Sequence, residues 1–304
     1  MARFQVNILG CGSAIPTARH NPSSQILDIR DNLFMIDCGE GAQLTMRKMR
    51  LKYTRLNHIF ISHLHGDHCF GLVGLLSSMA LQEKTGIVTI HIFEEGANLF
   101  DQQLKFFCRD IPFEIKFNII KPENALVFES QAITIETIPL FHRVPCVGFV
   151  FKEKNKLRHL KGDMVRFYNI PIKELHGIKE GNDYVTPEGV LVTNSQLTTD
   201  PDRVMSYAYC SDTAFNLQVA EMVKGINTIY HEATYTNDFA HLARQRGHST
   251  SVEAARIAQI AGAERLVLGH FSKRYRDESP IINEAKEIFP NTILANDGMR
   301  IDLL

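Results

Sequence analysis

The 304-residue sequence lacks several features that would assign it at once to a common class of protein. Its six cysteines include no C-x-x-C pair, which argues against a zinc ribbon or a disulfide framework and favours a reducing cytoplasm. Its longest mostly apolar stretch, residues 70–81, is too short to span a membrane and is interrupted by glycine and serine. The N-terminus has no signal-peptide pattern. These absences predict a cytoplasmic protein without a membrane segment.

The sequence also lacks an excess of charge of either sign. It has 33 lysines and arginines against 34 aspartates and glutamates, which gives a formal net charge of −1. A dedicated nucleic-acid-binding protein is usually basic overall, so any contact with RNA would require a local basic patch. The hydrophobic fraction of 44% is ordinary for a globular protein and allows a sizeable core.

Short apolar segments rich in branched residues alternate with helical segments along most of the chain. The clearest predicted helix covers residues 251–261, because Thr250 and Glu253 have capping-box spacing and Gly262 can end it. Strands interleaved with helices in both halves predict an α/β fold over residues 1–304, with two sheets face to face and helices outside. The predicted strands are residues 4–9, 25–29, 33–36, 58–61, 87–93, 115–120, 133–138, 147–151, 203–210, 228–230, 265–268 and 292–294; the other predicted helices are residues 42–49, 72–81 and 97–107.

Residues 152–197 interrupt this alternation. The stretch is polar and has little periodicity, and its cations are concentrated near its start. Composition alone leaves two interpretations open, a solvated surface excursion or a projecting arm that neutralises phosphates. The candidate phosphate-binding residues are Lys154, Lys156, Arg158 and Lys161.

The strongest chemical signal is an H-x-H-x-D-H motif directly after the apolar strand at residues 58–61. It places His63, His65, Asp67 and His68 within six residues. Imidazoles and carboxylates suit zinc, and a loop after a strand can direct several side chains into one cleft. Gly66 is expected to permit a tight backbone turn there. The motif therefore predicts a metal site.

Two adjacent metal ions need more ligands than this motif supplies. Three later residues follow predicted strands, namely His142, Asp212 and His270. Each alone is more often an ordinary turn or core residue, but their position after the H-x-H-x-D-H motif favours a role as further ligands.

This order of motifs resembles the metallo-β-lactamase superfamily, an αβ/βα sandwich with its metals at one edge. The resemblance implies that His63, His65 and His142 bind one zinc ion and that Asp67, His68 and His270 bind the other. It implies that Asp212 bridges the two. The superfamily alone does not fix the substrate, because its members cleave lactams, thioesters, sulfates and phosphodiesters.

Further motifs resemble the ribonuclease Z family over nearly the whole chain. The opening strand and Pro-Thr loop, the D-x-G-E-G type segment at Asp37, the HEAT and HST motifs and the segment around His270 occur in the family's order. The resemblance implies a homodimeric endoribonuclease with two Zn²⁺ per subunit, although manganese or iron would suit the same ligands. It would remove the 3′ trailer from precursor tRNA, leaving a 3′-hydroxyl on the tRNA and a 5′-phosphate on the trailer.

The same resemblance suggests roles for individual residues. Asp67 would accept a proton from the attacking water, and His248, held by Glu232, would protonate the leaving oxygen. Asp37 would support the metal-ligating histidines. Arg19 is a candidate contact for a phosphate of the acceptor stem. A turn-capping role for Asp37 and ordinary surface roles for Glu232 and Arg19 are the alternatives.

The family's inserted arm, which grips tRNA, corresponds to residues 152–197. The family's arm has a Gly-Pro-rich tip, whereas residues 172–183 of this sequence contain two glycines but no Gly-Pro pair. The position and length of the stretch match an arm, and its tip departs from the family pattern.

Two other functions compete with this interpretation. An enzyme of the same superfamily that acts on a small ester, such as a cyclic-nucleotide phosphodiesterase or an arylsulfatase, would need no arm. A non-catalytic RNA-binding protein that keeps the fold for structure would not need all seven ligands.

Overall fold

The alternating apolar segments form strands and helices in the computed structural model, which describes residues 4–303. The first part of the chain forms β1 (Phe4–Gly10), β2 (Ser24–Ile29), β3 (Asn32–Cys38), α1 (Ala42–Lys48), β4 (Leu56–Phe60), α2 (Gly66–Cys69), α3 (Leu72–Leu81), β5 (Ile87–Ile92), α4 (Glu94–Phe107), β6 (Glu114–Ile119), β7 (Ala125–Glu129), β8 (Ile133–Pro139) and β9 (Val147–Glu153).

Short elements follow in the middle of the chain, and longer ones return after it. The middle forms β10 (His159–Leu160), α5 (Gly162–Phe167), α6 (Leu175–Glu180), β11 (Tyr184–Val185), β12 (Leu191–Val192), α7 (Asn194–Leu197) and β13 (Thr198–Thr199). The last part forms β14 (Ser206–Cys210), α8 (Leu217–Met222), β15 (Thr228–Glu232), α9 (Ala240–Arg246), α10 (Ser251–Ala261), β16 (Arg265–Gly269), α11 (Ser279–Ile288), β17 (Thr292–Leu294) and β18 (Arg300–Asp302). Single 3₁₀ turns occur at Tyr53–Arg55, Ile172–Glu174 and Asn237–Phe239.

The long strands form two mixed sheets. The first has the order β18-β1-β2-β3-β4-β5-β6, and the second has the order β17-β16-β15-β14-β9-β8-β7. Strands β3 to β6 are parallel to one another, as are β14 to β17. The carboxyl ends of parallel strands lie at one edge of a sheet, so each sheet has an edge suited to a functional site.

The two sheets pack face to face, and helices cover the first sheet's other side. Phe60 of β4 contacts Phe149 of β9 with ring centroids 5.3 Å apart, which places both rings between the sheets. Ile59 and Ile61, the neighbours of Phe60, belong to a separate cluster with residues of α1, α3 and α4. Because successive side chains of a strand point to opposite faces, this alternation shows that β4 is buried on both sides. The predicted αβ/βα sandwich is confirmed.

Helix α10 has the predicted boundaries and caps. The side chain of Thr250 accepts a hydrogen bond from the backbone N–H of Glu253, and the Glu253 carboxylate accepts one from the N–H of Thr250. Gly262 ends the helix with φ of 67°, a left-handed conformation that costs glycine little.

The chain separates into two compact units. The inserted unit is Glu153–Val204, and the sandwich unit comprises the described residues before and after it. The inserted unit has a small core of its own, formed by Ile170, Ile178, Tyr184, Val192 and Leu197. The interruption predicted at residues 152–197 thus corresponds to a separate unit that ends later, at Val204. Its role in binding tRNA stays a prediction.

All six cysteines carry free thiols. No helix in residues 4–303 is long and apolar enough to cross a bilayer.

Candidate metal centre and active site

The predicted ligands converge at the edge where several strands end. β4 ends at Phe60 and is followed by the H-x-H-x-D-H motif, and β8 ends at Pro139, shortly before His142. β14 and β16 end immediately before the segments that carry Asp212 and His270. Parallel strand direction therefore brings side chains from both sheets to one place.

One group of ligands consists of His63, His65, His142 and Asp212. Nδ1 of His65 lies 3.1 Å from Nε2 of His63 and 3.3 Å from Nε2 of His142. Oδ2 of Asp212 lies 3.7 Å from Nε2 of His63 and 3.8 Å from Nε2 of His142. These separations suit three nitrogens and one oxygen around a single ion.

A second group consists of Asp67, His68, His270 and the other oxygen of Asp212. Oδ1 of Asp212 lies 3.5 Å from Nε2 of His68 and 3.1 Å from Nε2 of His270. Oδ2 of Asp67 lies 3.6 Å and 3.5 Å from the same two nitrogens. Asp212 thus offers one oxygen to each group, which is the arrangement of a bridging carboxylate.

The nitrogens of the histidine rings that face away from the centre have partners of their own. His68 donates from Nδ1 to Asp37 at 2.7 Å, and His142 donates from Nδ1 to the carbonyl of Gly247 at 2.7 Å. Nδ1 of His270 lies 2.9 Å from the hydroxyl of Thr234. Such contacts fix the ring orientation and leave Nε2 for a metal ion.

Three buried ligand atoms have no hydrogen-bond partner within residues 4–303, namely Nε2 of His68, Oδ1 of Asp212 and Nε2 of His270. Buried polar atoms without a partner are costly unless something else satisfies them. Burial opposes protonation of His68, but Asp37 and Asp212 raise the pKa of its imidazole well above its ordinary value. Burial and the neighbouring His68 lower the pKa of His63. The pocket favours a cation while keeping His63 neutral, so the residues fit divalent metal ions.

Asp37 is more than a turn cap. It is fully buried and accepts hydrogen bonds from the backbone and hydroxyl of Ser62, at 2.7 and 2.9 Å, and from the hydroxyl of Tyr209 at 2.8 Å, besides that from His68. Its backbone has φ of 54°, and that of His270 has φ of 60°, both in the left-handed region that non-glycine residues rarely adopt. Such conformations are held in place by the surrounding structure.

The reason for glycine at position 66 differs from the expected one. Its φ is not in the left-handed region. A Cβ atom there would lie 2.3 Å from the ring of Phe70, so a larger side chain would require that exposed ring to move.

Glu232 is fully buried, which excludes a surface role, and it orients His248. Its Oε1 accepts a hydrogen bond from Nδ1 of His248 at 2.9 Å. Its Oε2 accepts from the hydroxyl of Thr234 at 2.6 Å, and the same hydroxyl contacts His270. Burial lowers the pKa of His248, but the charge and hydrogen bond of Glu232 outweigh burial and raise it to about 9. At neutral pH His248 therefore carries a proton that Nε2 can donate.

A cleft of about 240 Å³ opens over the cluster, and it contains residues that sequence reasoning missed. His65, Asp67 and His248 line it together with three cations, Arg143, Arg246 and Lys273. Arg143 directly follows the predicted ligand His142, and Lys273 lies three residues after the predicted ligand His270. Cations beside a cleft of this kind suit a phosphate group.

Most of the tentative substrate contacts are engaged within the protein. Arg19 pairs with Glu278 and with the carbonyl of Arg276. In the inserted unit, Lys156 contacts Glu153 at 2.8 Å and Arg158 contacts Asp200 at 2.9 Å.

The two other predicted contacts of the inserted unit are also occupied. Lys161 donates to the carbonyl of Ser195 at 2.9 Å, and Lys154 makes an interaction of its own. The structure thus brings the predicted ligands together, and each of these cations already has a partner.

The chain is similar to known proteins in both sequence and fold. A family model described as anti-Pycsar protein Apyc1 matches residues 4–176. The chain is 49% identical over 304 residues to the ribonuclease Z of Bacteroides fragilis (strain YCH46), and the match covers all of both chains. Its structure is similar to that of the short form of human tRNase Z (ELAC1), with a TM-score of 0.71, 23% identity and 98% of each chain covered. It is also similar to the metallo-β-lactamase fold protein YhfI from Bacillus subtilis, with a TM-score of 0.70, 18% identity and all of both chains covered.

Proposed function

The chain belongs to the ribonuclease Z family and, through residues 4–176, to the family described as anti-Pycsar protein Apyc1, and we propose that it cuts the 3′ trailer from precursor tRNA with two bound zinc ions. It is a phosphodiester hydrolase of the ribonuclease Z type that processes the 3′ end of tRNA. One observation carries the proposed chemistry: seven His and Asp side chains meet in two groups joined by the two oxygens of Asp212.

The two groups fit a pair of metal ions. His63, His65 and His142 supply neutral nitrogens to one, and Asp67, His68 and His270 supply the ligands of the other. Paired divalent ions in such a site activate a water at neutral pH and offset the charge of the phosphate oxygens. Nitrogen and carboxylate ligands suit Zn²⁺ and also accept Mn²⁺, so metal content is part of the test below.

Asp67 and His248 divide the proton transfers between them. Asp67 accepts the proton of the attacking water, and its Oδ2 is held by the backbone N–H of Ala14 at 2.7 Å. As the bond from phosphorus to the 3′-oxygen of the tRNA breaks, His248 donates its proton to that oxygen. The products are a tRNA with a 3′-hydroxyl and a trailer with a 5′-phosphate.

Three cations beside the cleft position the phosphate that is cut. Arg143, Arg246 and Lys273 line the same opening as His248, and Arg246 is oriented by the hydroxyl of Tyr235 at 3.1 Å. Their charges hold the phosphodiester before the reaction and stabilise the negative charge that develops on its oxygens.

The inserted unit serves as the arm that binds tRNA. Lys154, Lys156, Arg158 and Lys161 give its first segment a positive charge, but their internal contacts limit how far they can reach. Two other basic residues, Arg166 and Lys173, are exposed, as are the apolar side chains of Phe167 and Ile172 near them in sequence. Phosphate contacts made by the four cations of the first segment and by Arg166 and Lys173 would account for the binding of tRNA without a Gly-Pro tip.

An exposed apolar surface on α2 to α4 supports the proposed homodimer. Phe70, Leu99 and Phe107 are exposed at 75%, 53% and 69%, and they line a groove of about 350 Å³ together with Leu64 and Val73. Contiguous apolar surface of this kind marks an interface more often than a surface left in water. Sedimentation velocity should give a dimer for the wild type and a monomer for Phe107→Asp. The proposed location of this dimer is the cytoplasm.

The decisive experiment is cleavage of a tRNA with a 3′ extension. We expect one cut at the end of the acceptor stem, its abolition by a chelator, and its recovery when Zn²⁺ or Mn²⁺ is returned. Mapping of both products tests the 3′-hydroxyl and 5′-phosphate ends. Cleavage of a small aryl phosphodiester, without any cut in the precursor by the metal-loaded chain, would favour the small-ester enzyme. A preparation that binds no metal would favour the non-catalytic RNA-binding protein.

A further inference from the structure

A second cluster of metal-ligating side chains lies outside the seven residues described above. It consists of Cys11, just after β1, His20 in the following loop, and Asp297 before β18. Cys11 and His20 are buried, with 0% and 6% of their surface exposed. The proposed reaction uses none of the three.

We propose that Cys11, His20 and Asp297 bind a third divalent metal ion, separate from the catalytic pair and structural in its role. Sγ of Cys11 lies 3.3 Å from Nδ1 of His20 and 3.5 Å from Oδ1 of Asp297. The same two atoms of His20 and Asp297 are 3.6 Å apart. Tetrahedral zinc with ordinary bond lengths places sulfur, nitrogen and oxygen ligands about 3.3–3.6 Å from one another.

The outer contacts of the cluster are those of a metal site. The other ring nitrogen of His20, Nε2, lies 3.3 Å from Oε1 of Glu278, which matches the carboxylate–histidine–metal arrangement. Oδ2 of Asp297 accepts a hydrogen bond from the backbone N–H of Asn21 at 2.7 Å, which leaves Oδ1 directed at the cluster. Arg19 pairs with Glu278 and so neutralises the outer carboxylate. His20 and Asp297 are therefore each oriented by a group behind them.

The charges around the cluster also favour a cation. Burial and the carboxylate of Asp297 raise the pKa of the Cys11 thiol well above its ordinary value, so a thiolate forms there only if a cation joins it. The hydrogen bond with Asp297 raises the pKa of His20 although burial opposes it. Two carboxylates thus attract positive charge to this point. A divalent ion would replace the protons of the thiol and the imidazole.

The site has an entry path and an oxygen for a fourth position. Asp297 lines a cavity of about 700 Å³ together with Thr17, Asn21 and Gly298. The carbonyl oxygen of Ala295 lies 3.5 Å from Sγ of Cys11. A metal ion entering from this cavity would tie the loop that follows β1 to the segment before β18. The same loop holds Asp67 through Ala14, so the ion would stabilise a segment that borders the active site.

Cobalt(II) provides a test that is independent of tRNA cleavage. The catalytic ligands are nitrogens and oxygens only, so they cannot give a thiolate-to-cobalt charge-transfer band in the near ultraviolet. The full chain should be stripped of metal, reconstituted with Co²⁺, and measured by absorption and metal analysis. We expect the band in the wild type, its loss in Cys11→Ser, and a loss of about one metal ion per chain in Cys11→Ser and Asp297→Asn.

Cys210→Ser is the matched control, because Cys210 is equally buried and lies outside the cluster. It should keep both the band and the metal content. A wild-type chain that binds cobalt without a thiolate band would overturn the proposal, whether or not the variants fold. So would an unchanged band in Cys11→Ser. Either result would show that the cluster is a hydrogen-bonded group only, and neither would affect the proposed nuclease activity.

Discussion

The sandwich unit and the inserted unit place their charged side chains in opposite ways. In the sandwich unit, the groups at the centre are almost fully buried and are held by contacts far apart in sequence, such as that of Tyr209 with Asp37. In the inserted unit, the contacts of Lys156, Arg158 and Lys161 are made to groups of the same unit, as for Arg158 with Asp200. Metal and proton chemistry requires side chains fixed within a fraction of an ångström, whereas attraction of phosphates tolerates movement.

This comparison predicts that the two units can be disabled separately. Changes in the sandwich unit should slow the chemical step for every substrate. Changes in the inserted unit should affect large RNA substrates and leave small ones unaffected, because only a large substrate reaches beyond the cleft.

The largest effect should come from Asp67→Ala. The variant would lose a predicted metal ligand and the proposed proton acceptor together, so cleavage of precursor tRNA and of an aryl phosphodiester should both fall by at least about 10³-fold. Single-turnover rates at saturating metal measure this. A variant that lost only tRNA cleavage would place Asp67 in substrate recognition and break the comparison.

A smaller loss is expected for His248→Ala, between about 10² and 10⁴-fold in the rate of tRNA cleavage. Metal content should remain that of the wild type, because the role proposed for His248 is that of a proton donor and His248 lies outside the predicted ligands. The loss should shrink for an aryl diester whose leaving group needs no proton. Normal rates in this variant would remove His248 from the mechanism.

Deletion of residues 154–193 tests the inserted unit. Loss of its phosphate contacts should lower kcat/KM for precursor tRNA by about 10²-fold or more, and cleavage of the aryl diester should stay within a factor of about two. The dependence of tRNA affinity on salt should weaken as well. Equal losses on both substrates would mean that the unit supports the fold of the sandwich rather than the binding of RNA.

The smallest effect concerns two histidines of the sandwich unit, His91, which is buried, and His58, which is half-buried. In the inserted unit, His159 and His176 are both exposed. Burial lowers the pKa of His58 from 6.5 to about 4 and that of His91 to about 3. As the pH falls below 6.5, these two histidines take up protons in the unfolded chain before they do so in the folded protein. Protonation therefore favours the unfolded chain, so the two histidines leave the stability unchanged above pH 6.5 and lower it as the pH falls toward 4.

At pH 5 the cost should be roughly 1–2 kcal/mol for each of the two histidines. Urea midpoints at pH 7 and pH 5 measure it. Other histidines also titrate in this range, so the shift of the urea midpoint between pH 7 and pH 5 is compared in two proteins, the wild type and the double variant His58→Gln/His91→Gln. The shift should be smaller in the double variant. Equal shifts in both proteins would assign the acid sensitivity to other groups.

The sequence predicted the interior strands well, and it predicted two of the four edge strands, β6 and β17. Strands such as β4 and β16 read as short apolar runs because they are buried on both faces, and their positions were found to within a few residues. The edge strands β7 and β18 were missed: β7 is a short apolar run that was overlooked, and β18 has only three residues, one of them apolar. The helix α11 was also missed, although Pro280 and the spacing of Ile281 and Ala285 were its signals.

The residues of the candidate site were also predicted only in part. The side chains that meet in the two groups, and the contact between Glu232 and His248, were expected from the order of the motifs; their roles as ligands and proton donor stay predictions. Ser62, Tyr209 and Thr234 were missed, since a hydroxyl has no role that its sequence neighbours reveal. The predicted phosphate contact of Arg19 is unsupported by the structure, because Glu278, distant in sequence, engages its guanidinium.

By itself the sequence determined which side chains have the chemistry to bind metal, since imidazole and carboxylate groups after buried strands carry that capacity in any fold. It also determined the strands that bring them to one edge. Only the tertiary structure decided that Asp212 faces both groups of ligands and that Asp37 and Glu232 orient the histidines. It alone decided that Cys11, His20 and Asp297 meet. Distances between residues far apart in the chain depend on how the two sheets pack, and they cannot be inferred from the spacing of residues in the sequence.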